Sequence, residues 1–195
     1  MAGDLLDASL RGFLETLSSD GPAPGSGTAA AIVVAMAAGL VTMVARASSE
    51  DWDEARGVVG QAETFRARVA PLAQADAEAY EAALAALRGR NELAERYRDQ
   101  KLQAALAHAA EVPQRIAETG SDLACLAALL VENGNPEVRI DAAAACVLAE
   151  AGTRVAAQLV EANLGATEGD PRVRHVRTLV AMAEEASQRA LAAAQ

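Results

Sequence analysis

Thr28-Ala-Ala-Ala-Ile-Val-Val-Ala-Met-Ala-Ala-Gly-Leu-Val-Thr-Met-Val-Ala45 contains no charged residue, and the uncharged stretch reaches back to Gly21. Its length is about that of a minimal bilayer-spanning helix. Much of its apolar content is alanine and glycine, it has no aromatic interface anchor, and Asp51, Asp53 and Glu54 follow closely on Arg46. A helix that is apolar all round also suits the centre of a helical bundle, and burial within protein is the reading adopted. Small residues on every side let neighbouring helices, or a second subunit, approach closely.

The rest of the chain agrees with that reading. Among 195 residues about 50 are alanine and only 3% are aromatic. No β-branched run alternates and no Asn-Gly or Asp-Gly hairpin occurs, so the expected fold is all-α. Capping signals, glycines and prolines divide it into a bundle of about seven helices, near 4–18, 26–48, 52–88, 92–119, 121–133, 136–164 and 171–194. Pro71 and Pro113 fall inside two of these and should kink them. No repeat or linker interrupts residues 1–195, which are read as one domain.

Seventeen Lys and Arg against 27 Asp and Glu leave a formal charge of −10. That balance argues against binding nucleic acid or an anionic membrane surface. Cys125 and Cys146 lack metal-ligand spacing and read as small buried thiols. The acidic start lacks the positive region of a secretory signal, so a cytoplasmic location is expected.

Three features stand against the apolar pattern. The stripe Val58, Ala62, Phe65, Val69, Leu72, Ala79 and Ala83 includes Asp76. A carboxylate there must be paired, hydrogen-bonded, partly neutral through desolvation, or at the stripe's edge and in contact with water. Asp141 lies on the side of Ala144, Leu148, Ala151 and Val155, away from Glu150, Arg154 and Glu161, near enough to a helix start to serve as a cap. The loop Pro22-Ala-Pro-Gly-Ser-Gly-Thr28 leads into the uncharged helix. It can be an ordinary capped turn, or a place where backbone donors meet an anionic or carbonyl-bearing ligand. His108 and His175 form no metal or triad arrangement and read as structural or solvated.

The order and spacing of Leu10-Arg-Gly-Phe-Leu14, Ser19-Asp-Gly-Pro-Ala-Pro-Gly-Ser-Gly27, Asp76-Ala-Glu-Ala-Tyr80, Ala110-Glu-Val-Pro113, Gly134-Asn-Pro136, Asp141 and Asn163-Leu164 resemble the cyclodeaminase/cyclohydrolase family of folate one-carbon metabolism. The resemblance implies an all-helical homodimer with folate near the subunit interface. It also implies closure of 5-formiminotetrahydrofolate to 5,10-methenyltetrahydrofolate with loss of ammonia, or the related hydrolysis of the methenyl bridge, without metal or redox cofactor. It places the catalytic carboxylate at Asp76 and substrate binding at Pro24, Gly25, Ser26, Gly27, Asp141 and Asn163. The chain departs from the family pattern at Ser26, Thr28, Ile140 and Gln158, and in the acidic turn Ser48-Ser-Glu-Asp-Trp-Asp-Glu54, where basic residues are usual. Those departures keep open a catalytically silent member acting as a helical dimer or small-molecule binder. The acidic turn leads to an expectation that long polyglutamate tails bind no better than short ones.

Overall fold

The structure, a computed structural model, describes residues 4–50, 52–88, 95–165 and 169–195. Among them, after a 3-10 turn at Leu5–Asp7, come α1 (Leu10–Leu17), α2 (Ser26–Ala47), α3 (Ala55–Val69), α4 (Leu72–Arg88), α5 (Glu95–Ala109), α6 (Glu111–Asn133), α7 (Arg139–Asn163) and α8 (Pro171–Ala193). No strand occurs among the described residues. The starts follow local chemistry: Ser9 accepts the Gly12 amide at α1, and Asp170 accepts the Arg172 amide at α8, with Pro171 in the first turn. Asn135 caps the 3-10 turn that leads into α7.

Two expected boundaries shift. The helix expected over 52–88 is two helices, because Pro71 lacks the amide needed to continue the ladder, although Ala70 keeps helical angles. The helix expected over 92–119 ends at Ala109, and Pro113 lies in the first turn of α6, where a missing donor costs little. No break follows at Gly120. A Cβ there would sit under 3.0 Å from Thr153 Oγ1, so this glycine brings α7 against α6 rather than ending a helix. The expected break at Gly89-Arg-Asn91 lies outside the described residues.

The arrangement has two ends. The start of α2, the end of α5, the start of α6 and the end of α7 meet around one cavity. At the opposite end the Asn135 amide donates to Ser48 Oγ at 2.8 Å, and Asn135 Nδ2 donates to Ala47 O. Thus α2 and α6 run parallel, with α7 antiparallel to both. Ser121 Oγ donates to Leu179 O, and Arg189 pairs with Glu132, which aligns α8 with α6.

Helix α2 is the central element, with Val34, Val41 and Val44 fully buried. It and Pro136–Asn163 are both long and apolar enough to cross a membrane by composition, yet about half of each qualifying window is buried in protein. Within one protomer α2 is not covered on every side: Met36 is 59% exposed and Met43 40%. On neighbouring α7, Ile140 (67%) and Val147 (36%) are exposed as well. These two flanks form an uncovered apolar face.

Cys146 is buried and its Sγ donates to Ala124 O, whereas Cys125 is half-buried. Desolvation pushes the Cys146 thiol up to about 12. Ellman's reagent at pH 8 should therefore titrate no more than one thiol in the native protein and both after denaturation. Rapid reaction of two thiols without denaturant would contradict this packing.

Candidate active site

A cavity of about 370 Å³ opens where the four helix ends meet. The loop before α2 contributes Pro22, Ala23 and Gly25, and the first turn of α2 contributes Ser26 and Gly27. From α4 come Asp76, Ala77 and Tyr80; Ala109 closes α5, Pro113 opens α6, and Leu159 and Asn163 end α7. The volume lies in the range that encloses a small organic ligand. A larger groove runs along α1 past Leu10, Arg11, Leu14, Glu15 and Ser18. Its residues are mostly exposed and it holds no desolvated polar group.

Helix α2 has no side-chain cap, since Gly25 occupies that position. The first amides of a helix need acceptors, and the missing acceptor comes from another helix. Asp76 reaches across from α4, receives the Thr28 amide, and lies 3.3 Å from Thr28 Oγ1 through Oδ2. Its carboxylate rests directly on Gly27: a Cβ built there would fall under 3.0 Å from Oδ1, Cγ and Oδ2. Gly27 is therefore required for space, not for an unusual backbone angle.

Burial raises the Asp76 carboxyl above the usual carboxylate range, and the Thr28 hydroxyl and amide pull it part of the way back. The positive end of the α2 dipole acts in the same direction as Thr28. Among the described lining residues no Lys, Arg or second carboxylate faces Asp76, and the only other titratable one is Tyr80. Among the described lining residues the carboxylate therefore has hydrogen-bond donors but no counter-charge.

Of the residues expected at a site, Asp76, Gly25, Ser26, Gly27 and Asn163 converge here. Asn163 Nδ2 donates to Ala109 O at 3.3 Å, which fixes the amide between α5 and α7. Pro24 is partly buried, follows a cis peptide bond from Ala23, and does not line the cavity. Asp141 is absent from the cavity because it starts the helix that Asn163 ends. The 22 intervening steps place the two roughly 33 Å apart within one protomer. The acidic turn after α2 is likewise about 30 Å from Thr28.

Tyr80 was not singled out from the sequence as a site residue. It is half-exposed one turn beyond Asp76, and the i,i+4 spacing was the available signal. His108 pairs with Glu111 and His175 with Glu118, both at the surface and away from the cavity. Among the described residues no group of three or more His, Cys, Asp or Glu could hold a metal ion.

A desolvated carboxylate on a helix start, one aromatic ring and a glycine loop line a ligand-sized cavity in an all-helical protein, an arrangement suited to proton transfer on a bound small molecule. Residues 9–182 match the sequence model of the family described as formiminotransferase-cyclodeaminase. Methenyltetrahydrofolate cyclohydrolase of Methylorubrum extorquens is 34% identical over 159 residues, covering 77% of this chain and 76% of that protein. Formimidoyltransferase-cyclodeaminase of Mus musculus is 36% identical over 128 residues, 61% of this chain and 24% of the much longer mouse protein. The crystal structure of formiminotetrahydrofolate cyclodeaminase from Thermotoga maritima superposes with a TM-score of 0.82 at 27% identity, covering 97% of this chain and 96% of that one. The chain belongs to the formiminotransferase-cyclodeaminase family, whose members are enzymes of folate one-carbon chemistry.

Proposed function

We propose that this enzyme cyclises 5-formiminotetrahydrofolate to 5,10-methenyltetrahydrofolate with release of ammonia, and that Asp76 carries the proton. The observation that supports this reading is the Asp76 carboxylate at the cavity wall, held by Thr28 and facing no counter-charge. As N10 attacks the carbon of the formimino group in its protonated, amidinium form, the N10 proton passes to Asp76. The exocyclic nitrogen then takes that proton as its bond to carbon breaks and leaves as ammonia, so the carboxylate ends the cycle ionised. Tyr80 offers an aromatic surface to the folate rings, and the amide of Asn163 offers hydrogen bonds to the pterin edge. The bound cation of the product is tolerated because no Lys or Arg lines the described wall. None of these steps requires a metal or redox cofactor.

A second reading, methenyltetrahydrofolate cyclohydrolase, is favoured by the Methylorubrum relative, with which this chain shares about three quarters of its length. The same carboxylate would take a proton from the attacking water and return it to the departing nitrogen. Supplying purified protein with each substrate in turn separates the two readings. Methenyl absorption and ammonia appear together in the first, and methenyl absorption is lost in the second. A protein that binds folate but does neither would be the silent member.

The exposed apolar side chains Met36 and Met43 on α2, with Ile140 and Val147 on neighbouring α7, support a homodimer that covers them. If two copies pair antiparallel through these flanks, the far end of each, where Asp141 sits, reaches the cavity end of the other. That arrangement gives Asp141 its role in substrate binding across the interface. Light scattering at micromolar concentration should show a dimer. Mixing inactive Asp76→Asn and Asp141→Asn proteins under conditions of subunit exchange should restore roughly a quarter of wild-type activity, because half of the sites in each mixed dimer are intact. No recovery from a mixture shown to exchange would remove Asp141 from the site.

A further inference from the structure

The Thr28 side chain lies between two acceptors. Its Oγ1 is 3.1 Å from Ala73 O and 3.3 Å from Asp76 Oδ2, and the residue is fully buried. A hydroxyl has one proton to donate and lone pairs to accept with, so it cannot donate to both oxygens at once. With Asp76 ionised, the hydroxyl turns its proton toward Oδ2. With Asp76 protonated, the carboxylic acid donates to Oγ1, and the hydroxyl turns its own proton to Ala73 O. Either state is satisfied by rotating one O–H bond, with no heavy atom displaced.

We propose that Thr28 is a positioning residue for proton transfer, a rotating hydroxyl that lets Asp76 alternate between its two protonation states without leaving the start of α2. This inference rests on the reading of Asp76 as the proton carrier and adds how that carrier is held through a cycle. Among the described residues Thr28 is the one side chain hydrogen-bonded to Asp76. Around Asp76, the loop, α2, α5, α6 and α7 present Pro22, Gly25, Ser26, Gly27, Ala109, Pro113, Leu159 and Asn163, none of them titratable. From α4 itself Tyr80 is the only other titratable lining residue. The Gln74 side chain of α4 is engaged elsewhere, accepting the Leu5 amide and donating to Glu78.

The test compares Thr28→Val, Thr28→Ala and Thr28→Ser with the wild type in two readouts. One is the pH profile of kcat on the substrate the enzyme turns over. The other is the titration of the Asp76 carboxyl by carbon-13 NMR in the free protein, which needs no activity. Valine keeps the shape and removes the hydroxyl, so kcat should fall on the order of ten- to a hundredfold with KM little changed, as for loss of a hydrogen bond to a charged group. The Asp76 midpoint should move upward, because an ionised carboxylate loses a donor. Serine should restore both. A wild-type midpoint in Thr28→Val overturns the proposal. So does a fold lost with both valine and alanine while serine behaves as wild type in melting, since the hydroxyl would then be structural. If Asp76→Asn proved fully active, the reading of Asp76 would fail, whereas the NMR titration would still decide the part played by Thr28.

Discussion

Asp76→Asn is expected to lower turnover by about two to four orders of magnitude, the contribution of general acid–base catalysis. The variant should fold as the wild type does. Asparagine Oδ1 can still accept from the Thr28 amide, and removing a desolvated carboxylate relieves strain. The sign of the stability effect follows from the raised carboxyl. A group whose folded pKa lies above its unfolded value contributes stability that is complete below the unfolded pKa and lost as pH rises through the folded one. At neutral pH Asp76→Asn should therefore melt at least as high as the wild type, with the difference vanishing as pH falls into the ordinary carboxylate range. The pH profile of wild-type kcat should show an acid limb centred above that range. Differential scanning calorimetry across pH, beside steady-state kinetics, checks both. A variant with wild-type rates would displace Asp76 from the chemistry, and one that unfolds at every pH would make it a structural cap of α2.

The all-helical fold was legible because alanine content, capping residues and the lack of strand alternation all pointed the same way. The boundaries at Pro71, Pro113 and Gly120 were less so. Proline and glycine signal that a helix can change there, but whether it breaks, starts or packs closely depends on the neighbour, and Thr153 is 33 positions away from Gly120. The same limit shaped the site. Asp76 was legible as a polar residue in an apolar stripe, and the loop was legible from its glycines. That the two meet, one capping the other, is a tertiary fact that no spacing along the chain encodes. Asp141 shows the converse: family resemblance grouped it with Asn163, while the continuity of α7 holds the two a helix length apart in one protomer. The face that would bring them together was visible in part, as a helix too apolar for solvent. Which flank stays open depended on where α3, α6 and α7 packed.

Gly27→Ala is expected to cost about as much activity as a substitution can without touching a reacting group. The added methyl would occupy the space of the Asp76 carboxylate, under 3.0 Å from all three of its outer atoms, so either the side chain rotates away or α4 moves off α2. Rotation is easier, because the cavity lies beside the carboxylate and can solvate it, whereas moving α4 would disturb Leu72, Ala73 and Ala77 in the core. Rotation sacrifices both Thr28 hydrogen bonds and shifts the proton-carrying oxygen by an ångström or more. A displacement of that size lowers rates on the order of a hundredfold. Stability should change little, since alanine's helix preference over glycine, about 1 kcal/mol, offsets the lost bonds. Gly60→Ala supplies the control: no atom lies within 4 Å of its added methyl, it is exposed on α3, and it should gain the helix preference with unchanged activity. Kinetics and melting of the two variants together distinguish position from stability. If Gly27→Ala retained wild-type kcat, the place of the carboxylate on the α2 start would be irrelevant to catalysis, even with Asp76 itself essential.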